Sequence, residues 1–524
     1  ARITTGSERY DRIALLSIVV ISLLFHLTYY RYGVQNLVDL GVACVDSDRI
    51  LNGQVPGVDF FDSYGPARFY MIALAFAVAG KSLLTLSALC VILLAIKDAL
   101  VYVTARDLVS KRWALFVAAL SIMVHGPIHK VFLSLAILLI LVAAFRLIRR
   151  PGWKAAFVFG LAVFLAGTLR YDMGAAGMII GFLLVAALPL AARFSKKLFL
   201  PALSGFLAGL ALPGLFLTAW YYHIGVDFLV LIDNHVKRVT CLEQANQDKL
   251  GILTLPFSDQ PVDFLLGYTL LFLALILAFA LFAAIRLWRR AEGTDRRTAL
   301  MLGVMIALGA LSFNHIRLGV KFLRIGQVGA PFFIALAYLL MHAFVILKNR
   351  GSCLRWVPPC LAVGFFIFLG LYIWNFEGAY SQDSFAVLRI RSHYLDHPRG
   401  GCAFRGKRGE EVEEVIAFIE QRTAPGEAIF TTAACPLLHF LTDRPDPTPF
   451  TDFAFYYFDE KNQNLVIEKI REANVRYIID WPRPLTGFWF KTCAPLVFDY
   501  VNTHFKVERQ IGRFVIMKRR EESD

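Results

Sequence analysis

Five carboxylates fall within 24 residues, Asp39, Asp46, Asp48, Asp59 and Asp62, in the stretch DLGVACVDSDRILNGQVPGVDFFDSYGP that runs from Asp39 to Pro66. The chain around them is 57% hydrophobic and only 18% charged. Charge close to lipid is costly and is retained chiefly where it has a function. A carboxylate so placed can take a proton from an attacking hydroxyl, and a pair of them can hold a divalent cation. Helical phase sets Asp39 and Asp46 on one face, with Asp39 opening the helix and Gly53 just past its end. Plainer roles are open to each: an N-cap for Asp39, a solvated face for Asp46 and Asp48 beside Arg49, and turn capping for Asp59 and Asp62.

An acid that activates a nucleophile works best with cations that stabilise the departing anion. TLRYDMG offers Arg170 with Asp172, either as an anion contact or as an ion pair that fixes two helix ends. NHIRLGVKFLR holds Asn314, His315, Arg317, Lys321 and Arg324. Arg can clamp a phosphate bidentately and Lys can act as a point charge, whereas the plainer role is snorkelling to lipid headgroups. His125 and His129 in HGPIHK are further polar candidates at a span end. The stretch with Asp233, His235, Lys237 and Arg238 reads as an irregular loop able to lie over a site.

Apolar runs long enough to cross a bilayer recur through residue 376 and must position these groups. The first, Ile13 to Tyr30, follows three arginines, lacks a small-x-small cleavage site and reads as a retained anchor. Basic loops at 106–112, 146–154, 193–197, 286–297 and 348–355 mark the cytoplasmic side, which explains a net charge of +14 without nucleic acid. The expectation is a mainly α polytopic membrane protein of about eleven transmembrane helices, N-terminus cytoplasmic. Residues 67–83 crowd the next run and read as a juxtamembrane or re-entrant helix, and Trp113–Val124 is short for a span.

Composition changes after Trp374. The expected division is a membrane domain over 1–376 with a first outer loop at 31–66, a linker over 377–408, and a small α/β extracytoplasmic domain over 409–524. Within that domain the pattern predicts helices at 410–422, 436–441, 460–473 and 495–503, strands at 428–431 and 475–480, and a closing strand pair around Gly512. The domain carries no Gly-rich phosphate loop and reads as a cap, or as an acceptor-binding module. Cysteines 44, 241, 402, 435 and 493 fall on the expected outer face, where disulfides are permitted, and no metal-ligand spacing links them.

The outer-loop residues resemble a family. Asp39 opening the first outer loop, a short helix ending in Gly, Asp59 twenty residues later, then Tyr64-Gly65-Pro66 leading into apolar sequence is similar to the GT-C glycosyltransferases. The branch is that of the dolichyl-phosphate-mannose protein mannosyltransferases and the lipid A aminoarabinose transferases, in its bacterial form. The resemblance implies a GT-C-like fold and transfer of a sugar from a polyprenyl-phosphate donor to a lipid, glycan or protein acceptor in the plasma membrane. By position it implies catalytic carboxylates at Asp39 and Asp59, supported by Tyr64, Asp172 and Asn314. The donor phosphate would meet Arg170, His315, Arg317, Lys321 and Arg324. The mannosyltransferases commonly show Asp-Glu at the first site, whereas Leu40 follows Asp39 here, so no obligatory metal is expected. A divalent cation on Asp46 and Asp48 stays the open alternative. The competing readings are a polytopic lipid or sugar transporter, which calls for repeat symmetry and mid-span charge, and a non-catalytic receptor.

Overall fold

The computed structural model describes residues 7–30, 37–61, 64–191, 199–226, 261–290, 294–317, 322–375, 392–405, 407–432, 435–451, 460–481, 491 and 494–521. Apart from a 3-10 turn at Cys353–Trp356, fifteen predominantly apolar or amphipathic segments there wind into helices before residue 376 where runs of Leu, Ala, Phe and Ile leave the backbone no partner but itself. They are α1 (Ser7–Tyr30), α2 (Asp39–Leu51), α3 (Pro66–Ala79), α4 (Leu83–Arg106), α5 (Lys111–Met123), a single 3-10 turn at Ile128–Lys130, α6 (Val131–Arg149), α7 (Trp153–Leu169), α8 (Tyr171–Ala191) and α9 (Phe199–His223). The series continues with α10 (Pro261–Arg290), α11 (Thr294–Arg317), α12 (Phe322–Val328), α13 (Ala330–Asn349) and α14 (Val357–Asn375). Six helices among the described residues are long and apolar enough to cross a membrane, and three shorter apolar ones accompany them. The chain is a multi-pass membrane protein. Helix α5 is not among the six because it has 13 residues, a rise of about 20 Å against a hydrocarbon core of about 30 Å.

The chain divides into two units. The first comprises Ala1–Leu27, Cys90–Tyr221 and Lys249–Ala386, the second Thr28–Leu89, Tyr222–Asp248 and Val387–Asp524. In the first unit α6 is apolar on every side and is its most enclosed span, with 83% of its apolar window buried. Helices α7 and α9 meet through glycine: a Cβ on Gly160 would lie 2.2 Å from the Phe206 carbonyl oxygen, and one on Gly209 2.1 Å from that of Phe157. Small residues let such backbones approach where no hydrophobic force drives association. Leu183, Leu212, Leu215 and Phe216 stay exposed, as side chains facing lipid do.

The sequence suggests charge only at span ends, yet the first unit encloses Lys97 and Asp98 inside α4, 2% and 0% exposed. Asp98 accepts hydrogen bonds from Ser22 Oγ and Ser121 Oγ, each 2.6 Å, and faces Lys97 Nζ at 2.9 Å and His26 Nε2 at 3.4 Å. Lys97 Nζ also donates to the Ser121 carbonyl at 2.9 Å. Donors from α1, α4 and α5 thus converge on one carboxylate, a closed network that specifies how three helices register. Asp98→Ala leaves the Lys97 charge buried without its partner. The expected cost is about 3–5 kcal/mol, read as a lowered thermal midpoint in detergent; an unchanged midpoint would contradict this role. His125, also buried, donates from Nδ1 to the Gly126 carbonyl at 2.5 Å.

In the second unit, the segment expected to be a linker contains an antiparallel pair, β1 (Ser392–Tyr394) with β2 (Ala403–Arg405), running Ser392 opposite Arg405. Three-residue strands amid turn residues leave no alternation to read, but Leu395, Cys402 and Phe404 bury fully enough to order them. There follow α15 (Arg408–Arg422), β3 (Phe430–Thr431), α16 (Leu437–Thr442), α17 (Glu460–Glu472), β4 (Tyr477–Asp480), α18 (Pro495–His504), β5 (Phe505–Ile511) and β6 (Phe514–Arg519), matching the expected helices and strands closely. The sheet order is β3-β4-β6-β5, with β3 parallel to β4 and the other pairs antiparallel. The β5–β6 hairpin turns at Gly512, whose φ of +52° favours glycine. Phe430, Val466, Ile470, Val475, Ile478, Val497 and Phe505 form the core.

Candidate active site

The second unit carries α2 and α3, and with them Asp39, Asp59, Tyr64 and the loop between them. Helix α2 has the predicted bounds: Asp39 stands in its first turn, where a carboxylate complements the helix dipole, and Gly53 follows with φ +85°. It is unusual in being polar and yet buried from Leu40 to Ser47 and at Arg49. Such burial is stable only if each polar group finds a partner. Asp46 accepts a 2.5 Å bond from Thr451 Oγ1. Asp48 pairs through one oxygen with Lys81 at 2.5 Å and through the other with Arg399 at 3.2 Å. Arg49 donates to the carbonyls of Thr448 at 2.8 Å and Asp446 at 3.3 Å. The solvated face expected for Asp46 and Asp48 is therefore a protein-protein contact within the unit. Both carboxylates already serve protein donors, and the alternative of a cation held by that pair would have to displace them.

Asp39 is half-buried, and Tyr64 Oη donates to its Oδ1 at 3.3 Å. Tyr64 belongs to the Tyr-Gly-Pro element that starts α3: Pro66 takes the first helical position, where its missing N–H costs nothing. One turn on, Arg68 is 2% exposed and its guanidinium lies 4.3 Å over the Tyr64 ring and 4.8 Å over that of Phe69. Its Nε and Nη2 are buried and make no hydrogen bond among the described residues. A buried guanidinium costs several kcal/mol unless its protons are met by an acceptor. Arg68 was no sequence candidate, because a single arginine flanking an apolar run reads as an interfacial anchor.

Asp59 is exposed and accepts the Val55 N–H at 2.7 Å, the turn-capping role open to it. Arg170 and Asp172, in the first unit, form a two-pronged pair of 3.0 and 2.9 Å across the α7–α8 junction. Asp62 and Lys321 lie outside the described residues, as do the side chains of Asn314, His315, Arg317 and Arg324 and the loop holding Asp233, His235, Lys237 and Arg238. Cys241 and Cys493 also lie outside them, while Cys44, Cys402 and Cys435 are buried.

Beyond the site, His439 on α16 is buried, its Nδ1 within 3.1 Å of the Arg444 carbonyl and its Nε2 within 3.2 Å of Thr431 Oγ1. Burial holds its imidazole below the ordinary value of 6.5. As pH falls through that value the unfolded chain takes up the proton first, so the stability His439 confers is present above it and is lost progressively below. Thermal midpoints at pH 7.5 and 5.5 are expected to separate wild type from His439→Asn by up to about 1.4 kcal/mol per pH unit. Parallel curves for the two proteins would contradict this assignment.

No family model matches the chain, and no curated protein matches it. Among solved structures it is similar to the oligosaccharyltransferase AglB from Archaeoglobus fulgidus, in complex with an inhibitory peptide and a dolichol-phosphate. The identity is 12% and the TM-score 0.46, covering 97% of this chain and 74% of that one. It is also similar to ArnT from Cupriavidus metallidurans bound to undecaprenyl phosphate, at 13% identity and a TM-score of 0.48, covering 98% of each chain. The apo state of the same ArnT gives 12% and 0.44, again over 98% of each. At such distances the activity has to be argued from the residues of this chain.

Proposed function

We propose that this chain is an integral-membrane glycosyltransferase of the GT-C kind, moving a sugar from a polyprenyl-phosphate donor to an acceptor on the extracytoplasmic face. The observation that carries the reading is the line Asp39, Tyr64, Arg68: a half-buried carboxylate, a phenol bonded to it, and a buried guanidinium with two donors unused among the described residues. These are the parts that displacement of a phosphate by a hydroxyl requires. Asp39 accepts the acceptor's proton as its oxygen bonds to the anomeric carbon. The bond from that carbon to the phosphate oxygen breaks, and the polyprenyl phosphate leaves with the electron pair. Arg68 meets the charge that grows on it, and Tyr64 orients the carboxylate.

Asp59 remains the second candidate carboxylate, and it accepts a loop-shaping bond from the Val55 N–H that Asp59→Ala removes. Arg170, His315, Arg317, Lys321 and Arg324, supported by Asp172 and Asn314, are proposed as further donor contacts on the first unit. The site is assigned no obligatory metal, since Asp46 and Asp48 are engaged by Thr451, Lys81 and Arg399. The basic loops support an N-terminus in the cytoplasm and a C-terminal region outside, and the family resemblance supports a bacterial plasma membrane as the location. The transporter reading is disfavoured because the mid-span charge, Asp98, is closed off by its own donors. The test is release of undecaprenyl phosphate by the purified chain from synthetic undecaprenyl-phosphate hexoses and pentoses, with phosphate-free prenyl glycosides as controls. Turnover of one donor is expected; none from any would overturn the reading.

A further inference from the structure

We propose that the segment from Ser392 to Thr451 is the positioning half of the Asp39 site rather than a separable cap. The inference rests on the glycosyltransferase reading above. Helix α2 is gripped by that segment along its whole length. At its start, Leu437 N–H donates to the carbonyl of Leu37 at 3.2 Å, two residues before Asp39. One turn on, Gly41 abuts α16 so closely that a Cβ there would lie 2.3 Å from Leu437 N and 2.8 Å from Pro436 C. Midway, Thr451 holds Asp46. At its end, Arg399 bridges Asp48, Asp443 and the carbonyl of Phe440, while Arg49 is held by Asp446 and Thr448.

These contacts fall on different sides of the helix. Gly41 and Asp48, seven residues apart, share one face, and Asp46 lies roughly opposite. A helix pinned on opposed faces can neither roll nor slide, so the direction of the Asp39 carboxylate is set from outside α2. The same segment also fixes the partner of Asp39. Phe61 N–H donates to the Pro449 carbonyl at 2.9 Å, and its ring stacks on Phe450 at 4.8 Å, three residues before Tyr64. Behind α3, Phe76 stacks on Phe440 at 5.3 Å, and the Leu83 N–H donates to the Arg399 carbonyl at 3.0 Å. Asp39 and Tyr64 thus hang on two strings drawn to one anchor.

A group that acts through geometry should move turnover more than binding. The experiment compares Gly41→Ala, Thr451→Val and Thr451→Ser in the full chain, using whichever undecaprenyl-phosphate sugar of the panel the wild type consumes. Gly41→Ala is expected to lower kcat about a hundredfold with KM for the donor changed less than threefold. Thr451→Val, which keeps shape and loses the hydroxyl, is expected to lower kcat at least tenfold. Thr451→Ser, which keeps the donor, should restore it to within threefold. Thermal midpoints within a few degrees of wild type exclude global unfolding as the cause. If kcat is unchanged in Gly41→Ala and Thr451→Val while Asp39→Asn abolishes turnover, the positioning role is overturned and the glycosyltransferase reading stands. If Thr451→Val and Thr451→Ser lose kcat in step with thermal midpoint, the contact is structural only and the proposal is likewise overturned. If Asp39→Asn turns over donor like wild type, the underlying reading is what fails.

Discussion

Asp39→Asn is expected to lower turnover of the donor about a thousandfold, within the contribution a positioned general base makes, while leaving the fold intact. The amide keeps the size and the oxygen that Tyr64 Oη reaches at 3.3 Å, so the constellation is preserved and only the capacity to take a proton is lost. Binding of undecaprenyl phosphate should stay within threefold of wild type, because the carboxylate is assigned to the acceptor and not to the phosphate. The measurement is initial rate of undecaprenyl phosphate release, paired with equilibrium binding of the same lipid. A variant that keeps its rate would remove Asp39 from the mechanism. One that loses rate and lipid affinity together would move it to the donor side.

Arg68→Met separates the roles of a buried cation by sign. The guanidinium is 2% exposed with Nε and Nη2 unmet among the described residues, a cost offset only in part by stacking on Tyr64 and Phe69. An apolar side chain of similar length relieves that cost, so the thermal midpoint without ligand should hold or rise. With donor, the loss of a charge-assisted clamp on phosphate should lower kcat/KM by about a hundredfold to a thousandfold, about 2.7 to 4 kcal/mol. Arg68→Lys keeps the charge without the planar fork and should fall between. An arginine kept for structure gives the opposite pattern, a lowered midpoint with rate unchanged. Undecaprenyl phosphate should also raise the midpoint of wild type and not of Arg68→Met.

Much of this architecture is written locally in the chain. The bounds of α2 follow from Asp39 at its start and Gly53 beyond its end, and the helices and strands after residue 408 follow from amphipathic periods and the turn at Gly512. What escapes the sequence is decided at long range. Asp46 is a solvated residue by its neighbours and a buried one by its bond to Thr451, 405 positions away. Lys97 and Asp98 look like an interruption of an apolar run until Ser22, His26 and Ser121 converge on them from two other helices. The strands at Ser392–Tyr394 and Ala403–Arg405 are too short to show alternation and are ordered by what they bury. Arg68 differs again: its type and place are plain, and only the fold encloses its guanidinium and leaves Nε and Nη2 without an acceptor among the described residues.

The position of the phosphate group is the most direct test of the central claim. An electron cryomicroscopy map of the full chain with undecaprenyl phosphate is expected to place phosphate oxygens within hydrogen-bond distance of Arg68 Nε or Nη2, beside the Tyr64 that holds Asp39. Density for the phosphate elsewhere, with the Arg68 nitrogens still unmet, would contradict the account.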